Sequence, residues 1–97
     1  MTHESEVTSY KTKDVNLAAF LWCQDGAVMT GLEGSTRRGM SLYFKFDMPM
    51  KDHELAELML KYANNQCAVE PHMFVQKQNS IRDLLHGTRR QERKDAS

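Results

Sequence analysis

Cysteine is scarce in this chain: Cys23 and Cys67 are the only two, far apart and each among apolar neighbours. Two such thiols cannot make a disulfide framework. Their setting reads as reduced thiols in a cytoplasmic protein, with a single Cys23–Cys67 disulfide as the alternative. Long apolar runs are also missing. The uncharged segment from Leu17 to Cys23 falls far short of the roughly 20 residues that a bilayer crossing takes, so no membrane partner is expected. The opening Met-Thr-His-Glu-Ser-Glu has neither a basic nor an apolar stretch, and no secretion signal is read there. Charge of neither sign is in excess, since 13 Lys and Arg balance 13 Asp and Glu. That argues against a generally basic nucleic-acid binder and leaves room for a local basic patch. Repeats and low-complexity segments are absent. Ninety-seven residues hold one domain with a modest core and no separate catalytic domain.

Spacings that carry chemistry are equally sparse. His3, His53, His72 and His86 fall into no HxxxH or HExxH pattern, and the cysteines form no CxxC, so the four N or S ligands of a structural zinc site are not assembled. Gly31 to Gly34 lacks the lysine and the helix of a phosphate-binding loop, and no Ser-centred nucleophile or paired-carboxylate pattern occurs. Cys23 sits at the C-terminal end of an apolar helix, the wrong end for a lowered thiol pKa. Cys67 lies close enough to Pro71 and His72 to suggest a small thiol enzyme, against the blander reading of a structural strand residue. No cofactor, metal or small-molecule substrate is expected, and the chain is read as a non-enzyme.

What is present is an ordered set of elements. Residues 1–9 are polar and expected to be disordered, and Tyr10 to Lys13 makes a short strand or an extended lead-in. A helix then begins at Thr12 or Asp14, either of which can cap it. Leu17, Ala18 and Leu21 form its deepest stripe, with Phe20 and Trp22 widening it to a second face. Asp25-Gly26 ends it, Gly26 suiting a left-handed C′ position. Ala27 to Leu32 reads as a strand whose inward face Gly31 leaves open. Met40, Leu42, Phe44 and Phe46 alternate with Ser41, Tyr43, Lys45 and Asp47, which marks a strand with one dry and one wet face. With the Gly-flanked turn from Glu33 to Gly39 the two strands form an antiparallel hairpin. Leu42, Phe44 and Phe46 should each contribute about 1.5–3 kcal/mol on burial.

Met48-Pro49-Met50 breaks that strand. Lys51 to Asn65 follows as a helix with Leu55, Leu58, Met59 and Tyr62 at helical spacing, and Cys67 to Val69 offers a last edge strand. Pro71 opens a third helix striped by Phe74, Ile81, Leu84 and Leu85 and closed by Gly87. Residues 88–97 read as a disordered charged tail, leaving a single domain over 10–87. The order (β)αββα(β)α is α+β, with helices on one face of a small antiparallel sheet and the first helix between the sheet and a later one.

Tyr10-Lys11-Thr12-Lys13-Asp14, followed by Leu17-Ala18-Ala19-Phe20-Leu21, resembles the opening of a small domain family of unknown function found in bacterial genomes, phages and other mobile elements. Phe44-Lys45-Phe46 and Val69-Glu70-Pro71-His72-Met73-Phe74 match its Phe-x-Phe hairpin and Val-x-Pro-x-x-Phe segment. The resemblance runs from about Tyr10 to Leu85 and rests on core and capping residues. It implies a fold and a mobile-element setting, and it brings no catalytic or ligand residues with it.

Two binding readings follow. The leading one is a non-enzymatic module that docks on a protein partner or on its own copy. It would use an exposed sheet edge at Tyr10–Lys13 or Cys67–Val69 and methionines near Met48 and Met50. The alternative is a nucleic-acid accessory protein. There Arg37 and Arg38 at the hairpin tip, Tyr43 and Lys45 on the wet face, and Arg89 and Arg90 in the tail would hold phosphate and stack a base.

Overall fold

A computed structural model of the chain describes residues 7–95. Its elements run β1 (Thr8–Thr12), α1 (Val15–Trp22), β2 (Val28–Gly34), β3 (Leu42–Met48), α2 (Asp52–Ala63) and α3 (Pro71–Asp95). The fold is α+β. One antiparallel sheet has the order β1-β3-β2, so β3 is the central strand and both of its neighbours are edges.

The alternation read from β3 sets the layers. Leu42, Phe44, Phe46 and Met48 are buried on the inner face, and Tyr43, Lys45 and Asp47 point out. Met40 is not part of this set. It lies before the strand, 58% exposed. Met48 is buried completely, so the strand runs one residue further than Pro49 suggested, because Met48 still pairs with Thr8 across the ladder. On β2 the inward face was ambiguous in sequence for a definite reason. The register against β3 shifts between Met29 and Gly31, leaving Thr30 as a bulge. Met29 and Leu32 therefore both sit opposite inward residues, Phe46 and Phe44, although simple alternation would put them on opposite faces.

The first helix starts where its capping chemistry dictates. Asp14 Oδ1 accepts the N–H groups of Asn16 and Leu17 at 2.9 and 3.1 Å, while the Thr12 hydroxyl accepts the Asp14 N–H at 3.1 Å. Both candidate residues thus take part, with Asp14 as the cap. Ala18, Ala19, Phe20 and Leu21 are buried in succession, since α1 packs on α3 on one side and on β3 on the other. Leu17 is only half-buried, and Ala19 takes its place in the interior. The C-cap is Cys23, not a residue beside Gly26. Gly26, at φ +84°, belongs to the turn into β2, where a Cβ would stand 3.1 Å from the Pro49 ring.

The second helix docks through Leu55, Leu58, Met59 and Tyr62, the Tyr62 ring lying 4.5 Å from that of Phe20. It ends in a Schellman turn. Asn65 is left-handed at φ +58°, its N–H reaches the Tyr62 carbonyl, and the Gln66 N–H reaches Lys61. Cys67 to Val69 does not form the expected strand; the sheet has three strands and this segment pairs with neither of its edges. It runs along the surface as irregular chain, with Cys67 and Val69 packed partly inward and Ala68 exposed.

The third helix departs most from expectation. It passes through Gly87 and continues to Asp95, so residues 88–95 are not a disordered tail. An interior glycine costs a helix about 1 kcal/mol relative to alanine, which Gly87 alone cannot turn into a stop. The residues beyond it, Arg89 to Lys94, are strong helix formers, and their positive charges suit the helix C-terminus. Leu84 is 37% exposed and lies off the buried stripe of Phe74, Ile81 and Leu85. At the other end of the chain, Thr8 and Ser9 already belong to β1, and residues 1–6, also expected to be disordered, lie outside the described residues, as do 96 and 97. A helix of this length runs about 37 Å and stretches the molecule to 53 Å along its long axis.

Candidate functional site

The long third helix brings the hairpin tip and the former tail together. Thr36 donates its N–H to Glu92 at 2.9 Å and its hydroxyl to the same carboxylate oxygen. The side chain of Thr36, joined by the Ser35 hydroxyl and the Thr36 amide, holds the Glu92 carboxyl below the ordinary glutamate range, with nearby Arg37 acting the same way. The tip itself is built by short-range bonds. The Ser35 hydroxyl accepts the Arg37 N–H at 3.0 Å, and the Met40 N–H closes a turn onto the Arg37 carbonyl at 3.0 Å. Gly39 takes φ +81° within that turn. Arg37 and Arg38 are exposed at its corner, beside the end of α3 that carries Arg89 and Arg90.

Beneath the tip is a cleft of about 220 Å³. Lys13 and Arg89 stand on its walls with Ser35, Thr36 and Ser41, and Leu42, Phe44 and Leu85 supply an apolar floor. No carboxylate lines it; Glu92 lies alongside, occupied by Thr36 and Ser35. Lys13 was not singled out in the sequence, and no local pattern marks it. It enters because Asp14 fixes the start of α1 next to the hairpin neck.

Tyr43 and Lys45 lie elsewhere. They are on the outer face of the sheet, whereas the cleft opens against the inner residues Leu42 and Phe44. On that outer face Lys11 is 2.5 Å from Glu33 and 5.2 Å above the Tyr43 ring, and Lys45 is 3.7 Å from the other Glu33 oxygen. The hydrogen bond to Glu33 raises the Lys11 pKa, and that bond lowers the Glu33 pKa in return. The aromatic face is covered by one lysine, and a carboxylate answers both lysines. Six residues expected to act as one surface are therefore divided. Arg37, Arg38, Arg89 and Arg90 share one end of the molecule, and Tyr43 and Lys45 lie in a patch on the sheet where Lys11 and Lys45 both pair with Glu33.

No protein-family model, curated protein or solved structure matches the chain.

The thiols have ordinary surroundings. Burial pushes the Cys23 thiol up, and Cys67 Sγ lies 3.9 Å from the Leu58 carbonyl. His72 is almost wholly exposed beside Glu70, 3.3 Å from it, and makes no hydrogen bond to Cys67. Glu70 caps α3, accepting the N–H groups of His72 and Met73 at 3.1 and 2.9 Å, which holds its carboxyl low. Among the described residues no three His, Cys, Asp or Glu side chains group as metal ligands, and no helix is long and apolar enough to cross a membrane.

The surfaces proposed for protein docking are also altered. Met48 is interior and Met50 half-buried, and Cys67–Val69 is not a strand edge. The two edges that exist are guarded: β1 has only five residues and carries Lys11, and β2 carries the bulge. An open groove of about 620 Å³ runs along α3 beside Trp22, lined by Leu84, Gly87 and Thr88 among others.

Proposed function

We propose that this chain is a non-enzymatic accessory module that binds nucleic acid through its basic end. The observation that carries this reading is the contact between Thr36 and Glu92. It sets the hairpin-tip arginines, Arg37 and Arg38, beside the end of α3 that carries Arg89 and Arg90, although more than 50 residues separate them in sequence. Guanidinium groups gathered at one end of a neutral molecule suit a phosphate backbone, which is recognised by charge and reach. The likeness of the Tyr10–Leu21 opening to a family of mobile elements supports placing the module in such an element. A second reading, docking on a protein or on another copy, is supported by the open groove beside Trp22 and Leu84.

Fluorescence anisotropy with a single-stranded oligonucleotide, run across a salt series, tests the first reading. Log affinity should fall with log salt by about 0.7 per phosphate contacted. Arg37→Ala with Arg38→Ala should flatten that slope. Affinity that stays constant from low to moderate salt would remove nucleic acid from consideration. Light scattering that finds a dimer disrupted by Leu84→Glu would then favour the second.

A further inference from the structure

The cleft beneath the hairpin tip has a composition that the general basic character of this end does not explain. Lys13 and Arg89 come from segments far apart in sequence, and the fold places both on one cleft of about 220 Å³. Among the described residues neither cation has an ion-pair or hydrogen-bond partner, and the Ser41 hydroxyl beside them has none either. Two unanswered cations around one hollow repel each other, and an anion seated between them relieves that repulsion. Two carboxylates adjoin the cleft among the described residues, and both are engaged: Asp14 accepts the N–H groups of Asn16 and Leu17, and Glu92 accepts from Thr36 and Ser35. The volume lies below the roughly 300 Å³ at which small-molecule sites begin. It suits one compact oxyanion, and the apolar floor suits the sugar edge of a nucleotide.

We propose that this cleft seats a single phosphate of a bound nucleic-acid strand, gripped by Lys13 and Arg89 with Ser41 as a hydroxyl donor. The proposal rests on the nucleic-acid reading above and gives it a fixed point: the tip arginines track the backbone outside, and one phosphate is held in place.

The test uses the full chain, a single-stranded oligonucleotide and inorganic phosphate. In two-dimensional amide NMR, the oligonucleotide should shift the signals of Lys13, Ser35, Thr36, Ser41 and Arg89. Lys13→Gln and Arg89→Gln, both at the surface, should together weaken oligonucleotide binding about tenfold. The salt slope should drop by about 0.7, one phosphate contact. Arg89→Lys should retain part of the affinity, because charge survives without the guanidinium fork. If the double variant binds like the original chain while Arg37→Ala with Arg38→Ala still weakens binding, the cleft is not the seat, though the wider reading stands. If the original chain binds no oligonucleotide, both fall. Inorganic phosphate that shifts these amides when the oligonucleotide does not would assign the cleft to a free anion and overturn the strand.

Discussion

At the scale of single residues, backbone geometry does as much as side chains to fix the tip. Gly34 sits at the hairpin neck with φ +100°, and a Cβ there would fall 2.0 Å from the Ser41 carbonyl oxygen. Gly39 is also left-handed, at φ +81°, but has open space around it. The two glycines therefore separate backbone strain from collision. Gly39→Ala should cost about 1 kcal/mol. Gly34→Ala should cost about 3 kcal/mol or more, since the ladder bond from Ser35 N–H to Ser41 cannot survive the collision. Urea midpoints at a constant m-value check both, and equal losses would show that the neck is looser than described. Neither requirement was legible in sequence beyond the fact of a Gly-flanked turn. Composition marks a glycine and does not say which carbonyl it faces.

At the scale of elements, regular patterns were readable and their interruptions were not. The period-two run of β3 and the Leu55–Tyr62 stripe of α2 give side-chain placement directly; the stripe holds, and the run holds from Leu42 onward, without Met40. The cap of α1 was narrowed to Thr12 or Asp14, and both serve. Three interruptions were not legible. The Thr30 bulge inverts the facing along β2, and one extra residue has no composition of its own. Pro49 hid the fact that Met48 still pairs. Gly87 looked like a stop because glycine suits a C-cap, yet here its propensity penalty is outweighed by the helix formers after it and by the Thr36–Glu92 contact. The last case gives a test with a sign. A Cβ at Gly87 would meet nothing within 4 Å. Gly87→Ala should therefore stabilise the chain by about 0.5–1 kcal/mol, seen as a raised thermal midpoint. A C-capping glycine would give the opposite sign.

At the scale of the molecule, the candidate site was legible only in pieces. The arginines at the tip and along α3 were each visible in sequence, and so were Tyr43 and Lys45. What sequence could not supply was the grouping. Strand parity turns Tyr43 and Lys45 away from the cleft, and a contact across 56 residues draws Arg89 toward the tip. Lys13 joins through the position of a helix cap.

That same contact makes the longest helix answerable to acidity. Glu70 at its first turn and Glu92 near its last are both held below their ordinary ionisation range, by donors that bond the charged form more strongly than the neutral one. Each therefore stabilises the helix above about pH 4.3, the ordinary glutamate value, and withdraws that support as pH falls through its lower folded value. Acid should unfasten the rod at both ends while Ile81 keeps its middle anchored. An NMR pH series would register it as the Thr36 and Met73 amides moving in step with the Glu92 and Glu70 carboxyls. Glu92→Gln should silence the first pair and leave the second. A Thr36 amide that still moves with the Glu70 carboxyl in that variant would mean the ends are not separately buttoned.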